Sequence, residues 1–144
     1  TSHDSVGSLG YRISLPDGQE LGFATDLGCY TEAVEEGLRG CRTVMLESNY
    51  DDGMILVSDY PYYLKRRIQS RSGHLSNSDC AAALPALAQN GTRNFVLGHL
   101  SQNNNLGLLA QQASEQALLQ AGLERGDFTL QIANRSQLSQ PVLL

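Results

Sequence analysis

The 144-residue sequence has no long apolar run and only three cysteines. No stretch reaches the roughly 20 consecutive apolar residues that a membrane-spanning helix requires, so the sequence predicts no membrane anchor. The first ten residues, TSHDSVGSLG, have neither the basic segment nor the apolar segment of a signal peptide. Cys29, Cys41 and Cys80 lack the spacing of a zinc site, which favours buried thiols in a reducing compartment. We therefore expect a cytoplasmic protein.

The sequence is also poor in positive charge, with 10 basic against 15 acidic residues and a net charge of −5. A surface of this sign repels phosphate backbones and anionic lipid, so we expect no broad nucleic-acid interface and no membrane partner. The length is that of one ordinary domain. However, the residues after Thr1 already resemble the interior of a domain, and we expect residues 1–144 to be a single, partial domain.

The hydrophobic pattern predicts a layered α/β fold with helices packed on a sheet. Pro16 and Gly18 lie between two short strand-like segments, which is typical of a hairpin. Strands are predicted at 11–15, 20–25, 44–46, 94–98 and 128–133. Helices are predicted from Thr31, at 51–57 and 62–69, from a Ser76 cap to Gln89, and at 106–121 behind an Asn105 cap.

Five residues that could carry chemistry lie beside these elements. Asp26, Glu47 and His99 each follow a strand, His74 precedes a helix, and His3 precedes the first strand. In α/β proteins ligands bind at such strand ends, where side chains from separate strands converge. Imidazole nitrogen and carboxylate oxygen together suit zinc, manganese or iron. The five residues therefore form one candidate metal site.

Each of these residues also has an ordinary structural interpretation. A histidine at a strand end is often a hydrogen-bonded structural residue, Asp26 can cap a turn, and Glu47 can pair with a basic side chain. No H-x-H or H-E-x-x-H motif occurs in the sequence. Spacing alone therefore leaves both interpretations open.

A resemblance to a known family rests on five segments read in order. These are HDSVGSLGYRI, ATDLG, LESNYD, YPYYLKRRIQSRSGHLSN and VLGHLSQNNN. Together they resemble the C-terminal half of a metallo-β-lactamase superfamily hydrolase, of the bacterial YycJ or WalJ nuclease type and more distantly of the RNase Z type. The resemblance covers residues 1–133. It implies half of an αββα sandwich, with a mixed sheet that has helices on one face.

The resemblance also implies a role for each of the five site residues. It makes His3, Asp26 and His99 ligands of zinc or manganese, with Asp26 bridging two metals. It makes Glu47 a supporting acid and His74 the residue that gives a proton to the leaving oxygen, a task that suits imidazole. The intact family enzyme is then a phosphodiesterase or nuclease that uses metal-activated water.

One family motif is missing from the sequence. The H-x-H-x-D-H loop that founds the family's metal site does not occur here. We therefore expect the isolated chain to bind metal weakly or not at all and to be inactive. We also expect an uncovered apolar sheet face, which a second copy of the chain or a complementary N-terminal half would cover. The alternative function is a non-catalytic α/β module that dimerises or binds a partner through this face.

A cluster of basic residues lies in the predicted helix 62–69 and just after it. It consists of Lys65, Arg66, Arg67 and Arg71. One interpretation is a phosphate-binding patch close to His74, which would steer a nucleic acid into the site. The other is the solvated face of a helix whose apolar side is Tyr62, Leu64 and Ile68.

Overall fold

The computed structural model describes residues 9–142. It contains five strands: β1 (Tyr11–Ser14), β2 (Glu20–Ala24), β3 (Thr43–Glu47), β4 (Asn94–Gly98) and β5 (Thr129–Ile132). Five helices accompany them: α1 (Glu32–Leu38), α2 (Asp52–Val57), α3 (Tyr62–Ile68), α4 (Asn77–Gln89) and α5 (Gly107–Gln120). None of the helices in this range is long and apolar enough to cross a membrane.

The strands form one sheet in the order β1-β2-β3-β4-β5. β1 and β2 are antiparallel and joined by the predicted hairpin turn, in which Gly18 has a φ of 86°. Glycine adopts this left-handed conformation without the steric cost of a Cβ. β2, β3, β4 and β5 are mutually parallel, so their carboxyl ends lie along the same edge of the sheet. The predicted mixed sheet is therefore confirmed.

The core lies between the sheet and the helices. Val44 pairs in register with Phe95 and Leu46 with Leu97, and all four side chains are buried. They share one apolar cluster with residues of three helices: Val34 and Leu38 of α1, Leu84 and Leu87 of α4, and Ala110 and Leu118 of α5. Burial of this apolar surface provides the main driving force for the fold.

The opposite face of the sheet is apolar but open. Side chains alternate between the faces of a strand, so the residues next to the buried ones point away from the helices. Tyr11, Phe23 and Met45 lie side by side in one row across three strands. Tyr11 is 56%, Ile13 51% and Phe23 37% exposed. Within the described residues α1, α4 and α5 therefore pack on one face of the sheet, as the resemblance implies.

Some local predictions are correct and others are wrong. The Ser76 hydroxyl caps α4 by accepting a hydrogen bond from the Asp79 N–H at 3.0 Å. In contrast, the N-cap residue of α5 is Leu106 and not the predicted Asn105. The Asn105 side chain is buried: its Nδ2 donates to the backbone oxygens of Ser48 and Asn49, and its Oδ1 accepts from the Leu106 N–H and not from an N–H inside the helix. Tyr62 is 77% exposed, so its predicted place on an apolar helix side is also wrong.

Candidate active site

The carboxyl ends of three parallel strands carry the candidate site. Glu47 is the last residue of β3, and His99 directly follows the last residue of β4. Asp26 lies two residues after β2, and His74 lies in the loop that leads into α4. Because these strands are parallel neighbours, the fold brings all four residues to one edge of the sheet.

Glu47 is the centre of this arrangement. Its side chain is fully buried, and its Oε1 lies 2.7 Å from His74 Nδ1 and 2.8 Å from His99 Nδ1. Its Oε2 accepts a hydrogen bond from the backbone N–H of Leu27. An ionised carboxylate only accepts hydrogen bonds, so both rings donate through Nδ1–H. In each neutral ring the lone pair then resides on Nε2, the nitrogen that a metal would use.

The hydrogen bonds determine the charge of Glu47. Burial alone would raise the pKa of its carboxyl group, but hydrogen bonds from His74, His99 and the Leu27 N–H outweigh burial and lower the pKa below its ordinary value. The hydrogen bond between Glu47 and His99 also affects the histidine, because it raises the pKa of the His99 imidazole. Glu47 is therefore an ionised anchor for both imidazole rings.

Asp26, His74 and His99 fit a metal ion. Each offers one ligand atom, and these three atoms lie within 4.8 Å of one another. The two imidazole rings meet edge to face with their centroids 5.1 Å apart. Two nitrogens and one carboxylate oxygen suit zinc or manganese, and a carboxylate behind each ligating histidine is the usual arrangement in metalloproteins. The residues present thus fit the metal that the resemblance implies.

Two members of this trio have an unusual backbone. Asp26 and His99 both have a φ of 56°, and they are the two non-glycine residues with positive φ between residues 9 and 142. Such a conformation costs about 1–3 kcal/mol and persists where the surroundings enforce it. Strained residues cluster at functional sites, so the strain supports the interpretation of Asp26 and His99 as site residues.

A buried polar network lies behind the site. Ser48, Asn77 and Asn105 are all buried, and they are joined by hydrogen bonds of 2.7–2.9 Å between their side chains and the Ser48 backbone. Asn49 continues the network, because its Nδ2 donates to the backbone oxygen of His99. Sequence reasoning missed Ser48, Asn49 and Asn77, and it gave Asn105 only the role of a helix cap. The signal for Ser48, Asn49 and Asn105 was the polar run that directly follows each of two buried strands, in LESNYD and GHLSQNNN.

A cleft of about 470 Å³ opens beside the two histidines. Its walls include Tyr60, Arg67 and Arg135, and a polar run of Ser101, Gln102 and Asn103. Of the predicted basic cluster, Arg67 lines this cleft. Lys65 instead donates to the Leu56 carbonyl oxygen at 2.7 Å, whereas Arg66 and Arg71 are exposed and are not among its lining residues.

His3 lies outside the described residues. Its predicted role as a metal ligand therefore stays a prediction. The fold places the other four predicted residues together, with Glu47 in contact with both His74 and His99.

Comparison with known proteins identifies relatives of the type that the sequence motifs resemble. Exodeoxyribonuclease YycJ of Bacillus anthracis is 32% identical over 126 residues, which cover 88% of this chain and 47% of the relative. Exodeoxyribonuclease WalJ of Streptococcus pneumoniae is 35% identical over 128 residues, with coverage of 88% and 47%. The resemblance to YycJ/WalJ-type metallo-β-lactamase proteins is confirmed. The chain spans about half the length of these YycJ and WalJ relatives. No protein-family model matches it.

A solved structure supports the fold. The crystal structure of Zn²⁺-bound PqqB from Methylobacterium extorquens superposes with a TM-score of 0.50 at 21% identity, and covers 88% of this chain and 42% of PqqB. PqqB has the metallo-β-lactamase fold, so the predicted fold class is confirmed. Together with the YycJ and WalJ matches, this likeness supports the recognition of a C-terminal half.

Proposed function

We propose that this chain supplies one half of the active site of a metal-dependent phosphodiesterase that cleaves DNA. The observation that carries the proposal is the pair of hydrogen bonds from His74 and His99 to the buried Glu47, beside Asp26. A buried carboxylate that orients two histidines toward a third donor is typical of a metal centre. The names of the two exodeoxyribonuclease relatives favour DNA as the substrate.

The proposed metal ligands are Asp26, His99 and His3, with zinc or manganese as the metal. When bound, the metal lowers the pKa of a water molecule and stabilises charge that develops on a phosphoryl oxygen. Asp26 has two carboxylate oxygens and would bridge two metals. Glu47 holds the tautomer and the orientation of both rings through their Nδ1–H groups.

His74 has two competing roles in this proposal. The resemblance assigns it the transfer of a proton to the leaving oxygen, whereas a ligand role is supported by its ring nitrogen, which lies within 4.8 Å of the ligand atoms of Asp26 and His99. The two roles differ in their effect on metal binding. Loss of a ligand in His74→Gln would weaken the metal affinity, but loss of a proton donor would lower the rate and leave the affinity unchanged.

The site proposed here is incomplete without further ligands. His3, Asp26 and His99 supply three protein ligands, and His74 in its alternative role supplies a fourth, whereas a dinuclear centre requires more. We propose that the chain alone holds metal weakly and hydrolyses DNA little. A segment that bears H-x-H-x-D-H, in the same polypeptide or in a second one, would complete the centre. We also propose a cytoplasmic location, from the pattern of cysteines.

The open apolar face of the sheet supports the proposal that a partner binds there. Tyr11, Ile13 and Phe23 expose a row of apolar side chains that soluble monomers usually cover. We propose that either the complementary N-terminal half or a second copy of this chain covers it. If a second copy does, the alternative function is a non-catalytic dimeric module.

A reconstitution experiment tests the proposed function. The chain is mixed with a separately expressed segment bearing H-x-H-x-D-H, and cleavage of end-labelled single-stranded DNA is followed with Mn²⁺ or Zn²⁺ present. We expect cleavage only in the mixture, and its loss when the chain carries Asp26→Asn. Glu32→Gln, an exposed residue of α1 that is not one of the proposed site residues, serves as the matched control. A mixture that binds metal but leaves DNA intact would contradict the proposal and favour the non-catalytic module.

A further inference from the structure

We propose that Arg135 and Arg67 form a clamp that holds the phosphate group of a single nucleotide in the cleft beside His74 and His99. This inference deepens the proposed function and rests on it for the choice of a nucleic-acid substrate. Arg135 lies beyond the last strand and outside every motif, and nothing in the sequence pattern singles it out. Arg67 comes from α3, so the two cations reach the cleft from separate elements.

The guanidinium group of Arg135 is held by neutral acceptors. Nη1 donates to Gln102 Oε1 at 2.8 Å, and Nη2 donates to the Leu100 carbonyl oxygen at 2.9 Å. Within residues 9–142 no carboxylate forms a salt bridge with it. Its positive charge is therefore fixed in position without being neutralised. A preorganised guanidinium of this kind suits bidentate recognition of a phosphate.

The composition of the cleft favours an anion. Among the described residues its lining contains two arginines and two histidines, and it contains no aspartate or glutamate. This is notable in a chain whose net charge is −5, because the average surface would repel phosphate. Because the ionised Glu47 lies behind both histidines, the cationic side chains of the cleft are Arg67 and Arg135, and they adjoin the residues proposed to hold metal.

The size of the cleft favours a single nucleotide. A volume of about 470 Å³ lies in the range of small-molecule pockets. Tyr60 also lines the cleft, and its hydroxyl oxygen accepts a hydrogen bond from Asn103 Nδ2 at 2.9 Å. A fixed aromatic ring beside a phosphate site offers a surface on which a base can stack.

Nucleotide binding without metal tests the clamp. The full 144-residue chain is titrated with thymidine 5′-monophosphate and with thymidine, and amide chemical shifts are followed by NMR. We expect the phosphate to improve affinity by about tenfold, and Arg135→Gln or Arg67→Gln to remove most of that gain. Arg135→Lys keeps the charge and should retain part of it. Arg125→Gln is the matched control, because Arg125 pairs with Glu115 away from the cleft.

Three results would overturn the inference. The first is equal affinity for thymidine and its monophosphate in the unmodified chain. The second is unchanged nucleotide binding in Arg135→Gln, and the third is an equal loss of binding in Arg125→Gln. The reconstitution experiment separates this inference from the proposed function. Phosphate-dependent binding without DNA cleavage in the mixture supports the clamp and contradicts the phosphodiesterase. Cleavage with unchanged binding in Arg135→Gln contradicts the clamp alone.

Discussion

Asn49 donates a hydrogen bond from Nδ2 to the backbone carbonyl oxygen of His99, at a distance of 2.7 Å. The acceptor belongs to one of the two strained non-glycine residues in the described range. Asn49 is itself fixed, because its N–H donates to Leu75 and its carbonyl oxygen accepts from Ser101. One buried amide thus joins the loops that carry His74 and His99.

We predict that Asn49→Ala destabilises the protein by about 1–3 kcal/mol, because it removes a nearly buried amide and leaves the partly buried carbonyl of His99 without this donor. The free energy of unfolding in urea measures the effect. Asn103→Ala is the matched control, since Asn103 lies at the exposed rim, and it should change stability by less than about 0.5 kcal/mol. Equal stability of the two variants would show that Asn49 does not hold the His99 loop.

The second prediction concerns Glu47→Gln. A neutral amide cannot accept from two Nδ1–H groups and from the Leu27 N–H as the carboxylate does. We expect metal affinity to fall by about 10–100-fold. Broadening of the NMR signals of Asp26, His74 and His99 by Mn²⁺ measures this even where binding is weak. Glu115→Gln, on the surface of α5, is the matched control, and its signals should broaden as much as those of the unmodified chain. The prediction is wrong if the signals of Glu47→Gln also broaden to that extent.

Much of the site could be predicted from the sequence, for a physical reason. Glu47 and His99 directly follow apolar runs, and the carboxyl ends of parallel strands necessarily meet at one edge of a sheet. Their convergence therefore follows from chain pattern alone. The direct contact of Glu47 with both rings does not, because it depends on rotamers and on the strained backbone of His99.

Other features were beyond sequence reasoning. Asn105 lies where a helix cap is expected, but tertiary hydrogen bonds to Ser48 and Asn49 override that local preference. Arg135 reaches the cleft only because the chain after β5 returns to the loop that contains Leu100. Contacts between residues so far apart in sequence leave no short motif.

The third prediction is a dependence of stability on alkaline pH. Burial raises the pKa of the Cys80 thiol from 9.0 to about 12. The folded protein therefore keeps the thiol protonated where the unfolded chain ionises it. This contribution is fully present below pH 9 and is lost as the pH rises from about 9 toward 12, at about 1.4 kcal/mol per pH unit.

Cys80→Ala should therefore lose less stability than the unmodified chain between pH 9 and 10. Urea unfolding at pH 8, 9 and 10 measures the slope. Cys29→Ala, at a half-exposed position, is the matched control and should keep the slope of the unmodified chain. A Cys80→Ala slope identical to that of the Cys29 variant would contradict burial of Cys80 as the cause.

The fourth prediction concerns the open sheet face. Phe23 lies in the row between Tyr11 and Met45, points away from the helices and is 37% exposed, so the long stem of a lysine at this position can cover its neighbours while the ammonium group reaches water. The same charge would have to be desolvated when a partner covers the face, which is unfavourable. We therefore expect Phe23→Lys to abolish association with a second copy or with the H-x-H-x-D-H segment in sedimentation velocity experiments. Leu56→Lys is the control, because Leu56 is 68% exposed on α2, and it should associate normally. If the unmodified chain remains monomeric at micromolar concentration, a dimer of this chain is excluded. If the H-x-H-x-D-H segment sediments separately from the chain, that segment is excluded as the partner that covers the face.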